Sequence, residues 1–167
     1  MLKNFFKKKI SERDAVILFV NEVFEHVDES WESDKKAMSE YADVHEYRNS
    51  YTTFDIALAT LSLELLALPN LLPQNKAKSI HHLILDMLRN NKYEGEYAYN
   101  KVVNEFLPVL YYSIEHQSNP LGDLAPVLWR SIIETPQMNS INATVLSTVV
   151  SVKLGKWKQI TEIYKII

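Results

Sequence analysis

The chain has 167 residues, which is the length of one domain able to bury a substantial hydrophobic core. It contains no cysteine, so disulfide bonds and thiolate metal sites are excluded, and a reducing cytoplasm suits this composition. Its 3 glycines are few for a β-rich fold with many tight turns, and its net charge is only −3.

The first part of the chain predicts a basic leading segment followed by an acidic helical hairpin. Residues 1–10 are basic and partly apolar, and we expect a frayed end or a short leading helix there. Apolar residues at helical spacing then predict a helix over residues 11–31: Val16, Val20, Val23, Val27 and Trp31. A weaker stripe ending at Arg48 predicts a second helix over residues 34–48, with Asp34 or the serine before it as the N-cap.

The remaining residues, 52–167, predict an apolar helical core. The helix predicted over residues 52–68 is apolar around most of its circumference, so we expect it to be central. Pro69 should end this helix. Further helices are predicted over residues 74–90, 96–116, 123–134, 140–154 and 156–167. Within the helix over 96–116, Pro108 should cause a kink or a break near Asn104.

Helices are predicted to begin at a nearly constant interval. The starts at Ser11, Thr53, Glu96 and Ser140 are 42, 43 and 44 residues apart, within the range of roughly 40–47 residues known for HEAT and armadillo repeats. The second helices do not keep this interval, and no residue pattern repeats with it. We therefore predict a single all-α domain of seven to eight helices in consecutive antiparallel hairpins, arranged as an α-solenoid or as an irregular helical bundle.

Charge is segregated within the first hairpin. Residues 22–46 contain nine acidic residues and only two lysines, a net charge of −7. The glutamates of the first helix share one face, where like charges at such spacings repel each other. A solvated surface explains this pattern, and so does an electrostatic docking surface for a basic protein. The partner-binding residues that we predict are Glu22, Glu25, Glu29, Glu32, Asp43, Glu46 and Tyr47.

The sequence contains no recognisable catalytic or metal-binding motif. None of its 5 histidines has an acidic residue three positions before it, and neither a His-Glu-x-x-His motif nor a phosphate-binding glycine loop occurs. Two weaker arrangements are the pair of His82 with Asp86 and the pair of Glu22 with His26, the latter near His45 if the first two helices form a hairpin. We therefore predict no catalytic residue, no metal site and no cofactor.

The leading hypothesis is a non-enzymatic, cytoplasmic protein-interaction module whose acidic first hairpin binds a basic protein. A bacterial immunity protein that neutralises a cationic toxin, such as a nuclease, fits the charge and the small size. One alternative is a helical metal-binding protein or hydrolase that uses His/carboxylate pairs. Another is a regulatory scaffold that binds through an apolar groove on the helices over residues 74–90, 123–134 and 156–167.

Two further kinds of partner are not expected. The sequence has no basic stripe on the scale of the acidic one, so nucleic-acid binding is not predicted. Stable membrane association is not predicted either, because the most apolar stretch, residues 54–68, contains two acids and is short for a bilayer.

Overall fold

The computed structural model describes residues 7–92, 94–134 and 137–167. These residues are mostly helical, and the helices pack as a bundle beside a small parallel sheet of two strands. In chain order the elements are β1 (Lys8–Ile10), α1 (Glu12–Ala42), α2 (Thr52–Leu71), α3 (Gln74–Arg89), α4 (Gly95–Asn100), a π-helical segment (Lys101–Phe106), α5 (Leu107–Glu115), α6 (Pro120–Ile132), α7 (Ser140–Ser151), α8 (Lys156–Ile163) and β2 (Tyr164–Ile166).

The helix starts agree with the predicted interval, although the packing is that of a bundle. Helices α1, α2, α4 and α7 begin at Glu12, Thr52, Gly95 and Ser140, each within one residue of its predicted start. In a solenoid each repeat contacts only its sequence neighbours. Here α1 contacts α7 and α8 as well as α2 and α3. The regular interval is therefore not accompanied by repeat-by-repeat stacking.

Helix α1 is continuous over residues 12–42, so the predicted hairpin over residues 11–48 is wrong. The expected cap residue Asp34 is instead buried within the helix. Its carboxylate lies 2.7 Å from the ammonium group of Lys153 and accepts a hydrogen bond from the Ser30 hydroxyl. Because these partners satisfy the acid inside the fold, the helix does not need to end there. It ends at Ala42, and the C-cap residue Asp43 adopts a left-handed conformation with φ of 55°.

Helix α2 is the centre of the bundle, as its apolar circumference predicts. It contacts α1, α3, α6, α7, α8 and the π-helical segment. It continues to Leu71 with Pro69 inside its last turn, so the prediction that Pro69 ends the helix is wrong. Among the described helices, α2 alone has the length and apolar composition to cross a membrane, yet 67% of that stretch is buried inside the fold. Such burial is typical of a core helix.

The helix predicted over residues 96–116 is interrupted near Asn104, as the position of Pro108 predicts. Helix α4 passes into the π-helical segment, and α5 follows directly. Pro108 has no N–H group with which to bond the carbonyl of Asn104. The wider turn, in which the N–H of Leu107 bonds the carbonyl of Val102, accommodates this loss without ending the helix.

The first and last described segments form a parallel sheet that was not expected from the sequence. Strand β1 pairs with β2, with Ile10 opposite Ile166. The helix expected to reach residue 167 therefore ends at Ile163. Of the predicted leading segment, residues 1–6 lie outside the described residues. Strands of three residues are too short to show a period-2 pattern, so the sequence holds no signal for this pairing.

Glu64 connects the central helix to the start of α8. Its buried carboxylate accepts the backbone N–H groups of Gly155, Lys156 at 3.0 Å and Trp157 at 3.2 Å. The first N–H groups of a helix have no partner within the helix, and they carry partial positive charge. Next to this contact, Trp157 stacks on Phe19 of α1 with 4.5 Å between the ring centroids. Helices α1, α2 and α8 are thus joined at one point in the core.

Candidate functional site

The acidic residues of α1 lie opposite the side of the helix that packs into the core. The four valines of the predicted stripe are buried. The 3.6-residue period of the helix places the acids on the other side. The structure brings most of the predicted glutamates together there. We use the term acidic face for four exposed residues of α1, which are Glu25, Asp28, Glu29 and Glu32.

Glu22 lies at the edge of this acidic face and has an internal partner. Its carboxylate is 3.7 Å from the ammonium group of Lys156 at the start of α8, and its side chain is about half exposed. One of the four predicted glutamates of α1 is therefore partly neutralised by the fold itself. It contributes less negative potential to the surface than its spacing in the sequence suggests.

Most of the acidic face has no internal counter-charge. In residues 7–92, 94–134 and 137–167, no cationic group lies within 4.0 Å of the carboxylates of Glu25, Asp28 or Glu29. Glu32 is 2.5 Å from Lys35, one turn further along. An exposed ion pair of this type is screened by water and contributes at most about 1 kcal/mol. The outward potential of this part of α1 is therefore negative.

Asp34 does not belong to the acidic surface, although it is one of the nine acids of residues 22–46. It is only 8% exposed and faces Lys153, which is fully buried. The pair is neutral overall and lies on the inner side of α1. The exposed negative charge is therefore smaller by one unit than the sequence total for residues 22–46 indicates.

The predicted residues Asp43 and Glu46 lie just beyond the end of α1, on the wall of a cleft of about 690 Å³. Both are exposed. The Asp43 carboxylate is 2.9 Å from Nε2 of His45, and the Ser39 hydroxyl is 3.1 Å from Nδ1 of the same ring. This network is local in sequence, and the Asp43 side chain is 96% exposed. Water screens such contacts, so they add little to stability.

Tyr47 is placed differently from the other predicted binding residues. It is half-buried, and its ring packs edge-on against Trp31 with 5.1 Å between centroids. Its hydroxyl is buried without a hydrogen-bond partner among the described residues. Burial, reinforced by the nearby Asp34 carboxylate, raises the pKa of the Tyr47 hydroxyl. Tyr47 is therefore held largely within the fold, and only part of it is available to a partner.

The histidines do not assemble a metal-type cluster in the described part of the chain. No group of three or more His, Asp or Glu side chains with suitable geometry for a metal ion occurs there. His26 is half-buried, and burial, with the nearby charges of Lys156 and Lys153, lowers its pKa. His82 is exposed and stacks on His81. The alternative built on convergent histidines thus has no geometric support among these residues.

A second charged site was not identifiable from the sequence. Arg48, Lys101 and Arg130 line a cleft of about 430 Å³. They come from the loop after α1, from the π-helical segment and from α6, and no regular spacing connects them. The expectation that Arg48 completes the stripe of a second helix is wrong, because α1 ends at Ala42. We call this site the basic cleft.

No protein-family model matches the chain, and no curated protein or solved structure matches it either. Two features of the described residues stand out by their charge: the acidic face of α1 and the basic cleft.

Proposed function

We propose that this chain is a non-enzymatic protein-interaction module whose acidic face binds a basic protein. The observation that carries the proposal is that Glu25, Asp28 and Glu29 are exposed and have no cation within 4.0 Å among the described residues. Carboxylates three or four residues apart on a helix repel each other by a few tenths of a kcal/mol per pair. A binding role explains why the chain carries several such repulsions on one side of one helix.

The acidic face lies on a rigid support. Helix α1 has 31 residues, which corresponds to a length of about 46 Å. Its inner side is held by the ion pair of Asp34 with Lys153 and by the stacking of Phe19 on Trp157. A partner therefore meets carboxylates that are already arranged, so binding requires little additional ordering of the backbone.

The charge of the acidic face indicates the chemistry of the partner. A negative surface attracts a positively charged protein during diffusional encounter and increases the association rate more than the intrinsic affinity. A nuclease toxin is one class of protein with such a surface, because it must attract phosphate groups. In the specific form of the proposal, the chain is a cytoplasmic immunity protein that covers the positive surface of a toxin of this class.

The two alternatives have less support from the described residues. A hydrolase or metal-binding protein requires histidines and carboxylates that converge, and no such group of three occurs in the described ranges. The scaffold hypothesis requires an apolar groove that extends along α3, α6 and α8. An apolar cleft of about 420 Å³ lies between α1 and α3 beside Ile17, Leu83 and Met87, and it does not extend along α6 or α8.

The proposal is tested by reversing charge on the acidic face. The variant E25K/E29K changes two exposed residues, and the control E115K/E162K makes the same change of net charge on α5 and α8. A basic protein that co-purifies with the wild-type chain from its native host supplies the partner. Stopped-flow mixing then measures the association rate for each variant at low and at high salt.

We expect E25K/E29K to reduce the association rate at low salt by at least tenfold and to flatten its salt dependence. The control E115K/E162K should reduce the rate by much less, because it leaves the local field intact. Equal rates for the two variants, or an association that salt does not slow in the wild type, would show that the acidic face is not the docking surface.

A further inference from the structure

The basic cleft brings together side chains from three separated segments. Arg48 comes from the loop after α1, Lys101 from the π-helical segment and Arg130 from α6. The backbone N–H of Arg48 donates to the carbonyl of Ile132 at 2.9 Å, which attaches the loop to the end of α6. The fold itself therefore holds the two arginines at one cleft.

Two of the three cations have no internal counter-charge. Lys101 lies 2.8 Å from the carboxylate of Glu105, one turn further along. In contrast, neither Arg48 nor Arg130 has a carboxylate oxygen within 4.0 Å in the described part of the chain. Two positive charges lining the same cleft repel each other, and an anion placed between them would remove that repulsion.

The described wall of the cleft includes one carboxylate, that of Glu105, and it pairs with Lys101, so the charges of the two arginines stay unbalanced. The hydroxyl of Tyr97, which lines the cleft, donates to Oδ1 of Asp55 at 2.6 Å. Burial and the Asp55 carboxylate raise the pKa of Tyr97, so the phenol remains protonated at neutral pH. Asp55 itself is inaccessible to solvent, and burial raises its pKa as well. Both effects limit negative charge next to the arginines.

The backbone at this position is also unusual. Lys101 and Glu105 both line the cleft and both belong to the π-helical segment. A π turn inside a helix occurs frequently at functional sites, where it alters the direction of side chains relative to a regular helix. The π-helical backbone, which accommodates Pro108, thus contributes both of these side chains to the cleft.

We infer that the basic cleft binds a small molecule through a phosphate group held between Arg48 and Arg130. The planar guanidinium group presents paired N–H donors that match the oxygens of phosphate. A dianionic phosphate balances the two arginine charges. The volume of about 430 Å³ is larger than a phosphate ion requires, and lies in the range of small-molecule sites. The ligand is therefore a phosphorylated small molecule, and its binding does not depend on the acidic face.

The test is a titration with inorganic phosphate at constant ionic strength. The side-chain Nε–Hε signals of the arginines are followed by NMR in the wild type and in R48Q and R130Q. Both arginines are exposed, so these variants should keep the fold, which the backbone amide spectrum verifies. The matched control is R13Q, because Arg13 is an exposed arginine on α1 outside the basic cleft.

We expect saturable shifts of the Arg48 and Arg130 signals in the wild type, and at least tenfold weaker binding in R48Q and in R130Q. The control R13Q should bind within twofold of the wild type. The variant R48K/R130K keeps the charge but removes the paired donors, so it should bind phosphate several-fold more weakly than the wild type.

Three results would overturn the inference. The first is a titration in which the arginine signals do not saturate. The second is equal weakening by R13Q, which would indicate a general effect of net charge. The third is a carboxylate ligand, tested with citrate, that binds more tightly than phosphate or pyrophosphate, since the paired arginines would then recognise a different anion.

Discussion

The carboxylate of Asp34 and the ammonium group of Lys153 lie 2.7 Å apart in the interior and join the second half of α1 to the turn after α7. The lysine also donates to the carbonyl of Val149 at 2.8 Å, and the Asp34 carboxylate accepts the hydroxyl of Ser30 at 2.9 Å. A buried charge is tolerated when it is paired and hydrogen-bonded in this way. The contact therefore allows α1 to continue past a residue that otherwise favours a helix start.

Removing one partner of this pair should destabilise the fold strongly. We expect K153M to lower the free energy of unfolding by about 3–5 kcal/mol, because Asp34 is left as an unpaired buried charge. The double variant D34N/K153M should lose less than the sum of the two single variants. Urea unfolding measures both values. The control K158M alters an exposed lysine and should remain within about 0.5 kcal/mol of the wild type; a K153M value equally close would contradict the prediction.

The contact of Glu64 with α8 gives a second prediction. In E64Q a neutral amide replaces the carboxylate that accepts three N–H groups at the start of this helix. We expect a loss of about 2 kcal/mol, since hydrogen bonds to a charged group are stronger than neutral ones. Hydrogen exchange at the amides of Lys156 and Trp157 should become faster than in the wild type. The control E162Q, at an exposed position of α8, should leave both measurements nearly unchanged.

Asp55 should make stability depend on pH in a defined direction. Its pKa is raised by burial, with the Tyr97 hydrogen bond opposing this shift, so the folded state retains the proton more strongly than the unfolded state. Its contribution to stability is then complete below the unfolded pKa of about 4 and is lost as the pH rises through the folded pKa. In D55N this loss is absent, while the amide oxygen can still accept the Tyr97 hydroxyl.

The stability of D55N relative to the wild type should therefore increase between pH 4 and pH 7. The expected gain is about 1.4 kcal/mol for each unit by which the pKa of Asp55 is raised. Thermal or urea unfolding over this pH range measures the difference. Stability curves that run parallel for the two proteins would show that the pKa of Asp55 is the same in the folded and unfolded states.

Gly95 should not tolerate a side chain. A Cβ atom at this position would lie 2.4 Å from the carbonyl oxygen of Arg89, a backbone atom that cannot move aside easily. We expect G95A to lower the free energy of unfolding by about 2 kcal/mol. Gly122 offers a comparison, because its nearest neighbour would be the side chain of Asn119 at 3.2 Å. We expect G122A to change stability by less than about 1 kcal/mol, since alanine also favours the helix. Equal losses in the two variants would contradict this explanation.

The features that the sequence predicts correctly depend on local patterns. Apolar spacing and capping residues placed the starts of α1, α2, α4 and α7 within one residue. At the first of these starts, the Asp14 N–H donates to the Ser11 hydroxyl oxygen at 3.1 Å and so caps α1. The continuity of α1 was not predictable, because the partner of Asp34 is distant in the sequence. The pairing of β1 with β2 depends on backbone hydrogen bonds, which leave no clear residue pattern.

The same distinction applies to the two sites. The acidic face follows from the spacing of residues on one helix, so the sequence indicates it directly. The basic cleft requires the positions of Arg48, Lys101 and Arg130 in three dimensions. Tyr47 illustrates the intermediate case, because its neighbourhood in sequence suggests exposure whereas its contact with Trp31 is visible only in the fold.

The connection between Glu64 and the start of α8 also has a consequence for the newly made chain during translation. Helix α2 is complete once residue 71 has left the ribosome, but its covering by α6, α7 and α8 must wait for later residues. Until residue 155 emerges, Glu64 has none of its backbone partners in the α8 turn. The central helix thus remains partly uncovered until these residues have been made. It is the segment of the nascent chain that chaperones would be expected to bind.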